Sequence, residues 1–83
     1  MEVDVGPFIA RLPIRSMISI TVNGEPAQVA APCTIADLLA VRGLTGKRVA
    51  VERNGAIVPR SRHAATELME TDSLELVVAV GGG

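Results

Sequence analysis

From residue 17 onward, apolar and polar positions alternate with a period that changes from block to block. In "ISITV", Ile18, Ile20 and Val22 alternate with Ser19 and Thr21, which predicts a strand with one buried and one polar face. Asn23-Gly24 follows, a strong hairpin signal because both central positions of a type I′ turn take positive φ. "PAQVAA" then reads as a weaker returning strand, with Pro26 restricting it to an edge or to the strand start. In "TIADLLAVRG" the period lengthens to that of a helix. Thr34 is its N-cap, Asp37 completes a variant capping box and Gly43 is the stop. Ile35, Leu38, Leu39 and Val41/Arg42 supply its apolar stripe. Alternation returns in "RVAVER", before a second turn signal at Asn54-Gly55 and the short run "AIV". Pro59 ends that run, and "RSRHAATEL" reads as one helical turn or an irregular crossover. After a turn at "METDS", "LELVVAV" is the last strand.

The order is hairpin, helix, strand, short strand, crossover, strand. One helix over a small mixed sheet is an α+β arrangement, and a hairpin feeding a helix across one sheet face is the opening of a β-grasp. In that fold the last strand lies beside the first, in the middle of the sheet. A central strand is covered more fully than an edge, which would account for the almost continuous apolar character of "LELVVAV". The expected organisation is an extension over 1–16, a domain over 17–80 and a glycine tail over 81–83. The extension, "MEVDVGPFIARLPIRS", has Pro7 and Pro13 and no clear period. It is either an upstream start or added segment, or an arm that packs through Phe8, Ile9 and Ile14.

Composition narrows the function. Eighty-three residues make at most one domain, yet 48% are hydrophobic, enough for a core without metal or disulfide. Phe8 is the only aromatic residue, so base stacking has no raw material. Net charge is −1 with the signs interspersed, unlike a phosphate-backbone binder. Cys33 is the only cysteine, which excludes an internal disulfide and a cysteine metal cage. No apolar run approaches the roughly 20 residues that span a bilayer, and Glu2 and Asp4 stand where a signal peptide is positive. The expected compartment is the cytoplasm.

The chain finishes on Gly81, Gly82 and Gly83, directly after the last strand. Three residues reach at most about 10 Å. Without Cβ atoms they fit a groove one backbone wide, and their tip is an unhindered carboxylate. Such a thread suits an enzyme that adenylates a C-terminus in a deep pocket. If Leu74, Leu76, Val78 and Val80 face the helix, then Val77 and Ala79 lie on the open face beside the tail as a partner site. The competing reading packs Val77 under the N-terminal arm or other strands. Arg60 and Arg62 flank this patch as rim charges or belong to a solvated turn. Cys33 reads as buried filler, although a helix N-terminus favours thiolate. His63 has no Ser, Cys or acid at motif spacing, and neither G-x-x-x-x-G-K-[ST] nor G-x-G-x-x-G occurs.

Four stretches carry a resemblance: "ITVNGEP", "TIADLL", "VAVERNGAIVPR" and "DSLELVVAVGGG". From Met17 to Gly83 the sequence resembles the thiamine-biosynthesis sulfur carriers, the ThiS family of ubiquitin-like β-grasp proteins. It is less similar to the molybdopterin-synthase small subunits, whose aromatic residues near the tail are missing. The resemblance implies a carrier, not an enzyme, with no cofactor of its own. An E1-like adenylyltransferase of ThiF type, using ATP and Mg²⁺, would adenylate Gly83. Sulfur originating from a cysteine desulfurase would replace AMP, and a thiazole synthase of ThiG type would take it from the thiocarboxylate. The alternatives are a carrier for molybdopterin or cysteine synthesis, a ubiquitin-like modifier, and an interaction module with an inert tail.

Overall fold

The computed structural model describes residues 16–79, and five strands and one α-helix are built from them. Strand β1 (Ser16–Val22) buries Ile20 and Val22 and half-buries Ile18, while Ser19 turns to solvent. Asn23 and Gly24 take φ of 52° and 82°, as the type I′ reading requires. This brings Glu25 opposite Val22 and starts β2 (Glu25–Ala31) antiparallel to β1. Pro26 lies on an edge strand, where its missing N–H removes no ladder bond from a central position.

Helix α1 spans Ile35–Val41. The Thr34 hydroxyl accepts from the Asp37 N–H, and the Asp37 carboxylate accepts from the Thr34 N–H, both at 3.0 Å. This is the expected capping box. At the other end Gly43 has φ of 73°. Its N–H reaches the Ala40 carbonyl, and the Leu44 N–H reaches that of Leu39 at 2.8 Å. That pattern is a Schellman motif, and it brings Leu44 against the core. The expected stripe is corrected at its end. Val41 is 80% exposed because six residues at 100° each carry it away from Ile35, and Arg42 caps the helix in solvent.

Strand β3 (Val49–Arg53) turns through Asn54 and Gly55, again at positive φ, into the three-residue β4 (Ala56–Val58). The crossover holds a 3-10 turn at Arg60–Arg62 and is otherwise irregular. It closes the helix start from outside. The Thr66 and His63 carbonyls accept from the Ile35 and Ala36 N–H groups at 3.0 Å, and Leu68 enters the core.

Strand β5 (Ser73–Val78) completes the sheet in the order β2-β1-β5-β3-β4. It runs parallel to β1 and antiparallel to β3, which is the expected β-grasp arrangement with the last strand central. Its parallel pairing is short, Thr21 with Ser73 and Val22 with Leu74. Asn23 prolongs it by using its side chain as a peptide unit. Its Oδ1 accepts from the Leu76 N–H at 2.7 Å and its Nδ2 donates to the Leu76 carbonyl at 3.3 Å.

The core lies between α1 and one sheet face and is centred on Ile35, Leu38, Val51 and Leu74. β5 is covered more fully than the edge strands, none of whose residues is buried, but coverage does not account for the whole of "LELVVAV". β5 is central within the sheet, but only Leu74 and Leu76 are buried, and Val77 is 63% exposed. One short helix covers one face of a five-stranded sheet.

Candidate functional site

The two ends of β5 are held differently. Just before its first residue, Asp72 is buried and accepts three hydrogen bonds. They come from Arg53 Nε at 2.8 Å, the Met69 N–H at 2.8 Å and Asn54 Nδ2 at 3.0 Å. Burial by itself pushes this carboxyl up. The hydrogen bonds from Arg53, Met69 and Asn54, with the Arg53 charge, outweigh burial and bring it below the ordinary carboxylate range. Asn54 also takes the Ser73 N–H on its Oδ1 at 2.9 Å and gives its own N–H to the Ser73 carbonyl at 2.7 Å. The start of β5 is therefore fixed by a charged turn and two flanking strands.

The far end is held on one side. Val77 pairs with Ala50 and Val78 with Val49 on β3, and the Ala79 N–H donates to the Arg48 carbonyl at 2.9 Å. No β1 residue pairs with β5 beyond Leu74. Val77 and Ala79 are exposed, as the alternation requires, and line a shallow hollow of about 440 Å³ with Ala50, Arg48 and Arg60. Of the two arginines expected at the rim, Arg60 lines this hollow and Arg62 does not. Val77 is not covered by other strands, while the N-terminal arm, the inward placement of Val80 and the tail residues Gly81, Gly82 and Gly83 lie outside the described residues.

Arg48 was absent from the sequence reading. It stands two positions before Ala50 on an alternating strand, and that spacing was the available signal. Ile57, 74% exposed, was also missed. It sits opposite Glu52 on the same open face.

Cys33 is buried and its thiol contacts the Thr34 carbonyl at 3.5 Å. Burial, then the nearby Asp37 carboxylate, raises its pKa, so the thiol form prevails at neutral pH and the helix-end argument for thiolate is outweighed. His63 is buried too, with Nε2 3.0 Å from the Val58 carbonyl. A carbonyl only accepts, so this nitrogen carries the proton and ties the 3-10 turn to β4. Among the described residues no three His, Cys, Asp or Glu side chains gather as a metal site. No helix there is long and apolar enough to cross a membrane.

Comparison with known proteins agrees with this geometry. The chain is 48% identical over 50 residues to the sulfur carrier protein ThiS of Bacillus subtilis, covering 60% of this chain and 76% of that one. It is 39% identical over 66 residues to a thiazole synthase of Paramagnetospirillum magneticum, covering 80% of this chain. The chain spans only about 20% of that synthase. The crystal structure of the thiamine biosynthesis protein ThiS from Geobacter metallireducens superimposes with a TM-score of 0.68 at 32% identity, covering 80% of this chain and all of that one. The family profile of ThiS matches residues 20–83, and with this the chain belongs to the ThiS family.

Proposed function

We propose that this protein carries sulfur for thiazole formation in thiamine biosynthesis, as a substrate of other enzymes. The observation that carries the reading is the asymmetry of β5. Its start is locked by Asp72, and its end, five residues before Gly83, opens beside an exposed apolar patch. A strand anchored in this way presents whatever follows it at a fixed place.

The chemistry asked of the chain is simple. A carboxylate is a poor electrophile. An E1-like partner of ThiF type, using ATP and Mg²⁺, joins the Gly83 carboxylate to AMP and releases pyrophosphate. The terminal sulfur of a persulfide formed by a cysteine desulfurase attacks the acyl carbon, and AMP departs with the electron pair of the former C–O bond. A second thiol then reduces the S–S bond of the acyl disulfide to leave the sulfur on Gly83. The resulting thiocarboxylate is an ionised, soft nucleophile that stays tethered, and a thiazole synthase of ThiG type receives the sulfur. Gly81 and Gly82 thread the partner's pocket, and Gly83 is modified. Val77, Ala79 and Arg60 form the docking patch. Arg62 is at most a peripheral contributor, since it lies off the hollow. Cys33 has no part, because its buried thiol lacks thiolate character.

Deleting Gly83, or adding a residue after it, should abolish ATP–pyrophosphate exchange with the activating enzyme and leave the melting temperature unchanged. Intact mass of the wild-type protein after incubation with activating enzyme, ATP, Mg²⁺, desulfurase, cysteine and a thiol reductant should show one oxygen replaced by sulfur. Normal exchange by the truncated chain would reject the reading. A higher-mass amide conjugate would identify a modifier instead.

A further inference from the structure

The open face near the tail carries an arrangement that the fold itself does not explain. Glu52 and Glu75 stand directly opposite each other on β3 and β5, and both are exposed. Like charges so placed oppose sheet formation. The cation adjacent in sequence, Arg53, is committed to Asp72, and that is the only ion pair among the described residues. One step toward the tail on the same face lies the apolar pair Ala50 and Val77, and beyond it Arg48 and Arg60 rim the hollow. The face therefore reads acidic, apolar, basic along the direction in which β5 runs.

We infer that this face docks on the thiazole synthase through two charge contacts of opposite sign on either side of Val77. A cationic side chain of the synthase meets Glu52 and Glu75, and carboxylates of the synthase meet Arg48 and Arg60. The inference rests on the proposed function and adds the chemistry and orientation of the contact. Charge order of this kind fixes direction. Reversed docking would bring each charged row against its own sign, so only one orientation aims the end of β5 at the reaction site. The apolar centre contributes affinity on desolvation, and the flanks set register. The synthase is the occupant favoured here because a relative bearing that name contains a stretch similar to this chain within one polypeptide. Linkage in one chain keeps two parts at high effective concentration. Where carrier and synthase are separate chains, the same encounter runs through their surfaces, and opposed charges raise the rate of productive contact.

The test is calorimetric titration of the full chain against the full-length synthase of the same organism, at low and moderate salt. Glu52→Lys with Glu75→Lys, and separately Arg48→Glu with Arg60→Glu, should each weaken binding about tenfold or more at low salt, with a smaller loss at moderate salt. Glu52→Gln with Glu75→Gln should give an intermediate loss. Glu67→Lys, beside the helix start, should leave the affinity unchanged. Melting curves establish that each variant is folded. Binding of both reversed pairs within twofold of wild type would overturn the inference while thiocarboxylate formation, read by mass, left the proposed function standing. A wild-type chain that gains sulfur but does not bind the synthase would also overturn it. So would sedimentation showing that the reversals abolish a dimer of this chain and leave synthase binding intact.

Discussion

Both faces of β5 carry aliphatic side chains, yet their tasks are opposite. Leu74 and Leu76 lie under α1, at 0% and 8% exposure, whereas Val77, one residue further, is 63% exposed. Aliphatic character therefore does not distinguish core from contact surface in this strand. What distinguishes them is the reach of a seven-residue helix over a five-stranded sheet. On the covered face, an apolar side chain contributes to folding. On the open face, the same chemistry gains its stabilisation only when a partner removes it from water.

The sharpest break in that comparison is Leu74→Ala. Leu74 is fully buried at the centre of the core, and truncating such a leucine costs about 2–5 kcal/mol. Domains of this size have a total stability on the order of 5–15 kcal/mol, so denaturant titration should show a large fall in midpoint. Val77→Ala, measured alongside, should change the unfolding free energy by no more than about 0.5 kcal/mol, as surface changes do. Equal losses at both positions would mean that the open face is covered in the free protein.

Asp72 tests the strand's anchored end. Asp72→Ala removes one acceptor from three donors, and leaving such donors unpaired costs about 1–3 kcal/mol. The sign with pH follows from the direction of the shift. The folded pKa is lowered, so the stabilisation is present above the unfolded value of about 3.9 and is lost as pH falls through the folded pKa. Melting temperatures of wild type and variant should be well separated at neutral pH and converge in acid. A gap that stayed constant to low pH would show that packing, not the carboxylate, is what Asp72 contributes.

Much of this frame was legible in the sequence, for local reasons. Asn23-Gly24 and Asn54-Gly55 demanded positive φ, and Thr34 with Asp37 demanded a cap, whatever the rest of the chain did. The open placement of Val77 followed from alternation alone. The contacts that lock β5 were not legible, because they join residues far apart in the chain. Asn23 bonds Leu76, and Arg53 bonds Asp72. Leu68 entered the core from an irregular crossover, where no period reveals which side is buried. Val41 was misplaced by extending the stripe into the last helical turn, whereas Leu44, just after the Schellman turn, packs against the core. Arg48 and Ile57 joined the open face through strand pairing, a relation between strands that periodicity within one strand leaves unspecified.

A substitution with little expected effect on the fold carries the most information about the open face. Val77→Asp should leave stability within about 1 kcal/mol, the range over which strand preference alone varies. The side chain is hydrated in the free protein, so its carboxylate has no burial to resist. Docking changes this. The carboxylate must leave water at a contact shaped for a valine, a cost of several kcal/mol if no donor meets it. It also places a third negative charge beside Glu75 and Glu52, which shifts the boundary between the acidic and basic flanks toward the tail. Val77→Thr serves as the control, since it keeps the branched shape and strand preference and adds no charge. A titration against the synthase should therefore rank wild type above Val77→Thr, and Val77→Thr far above Val77→Asp, while their melting curves stay close together. A collapse of the Val77→Asp melting curve would return Val77 to the core. Undiminished affinity in a folded Val77→Asp protein would move the docking surface off this face, and the arginine rim with it.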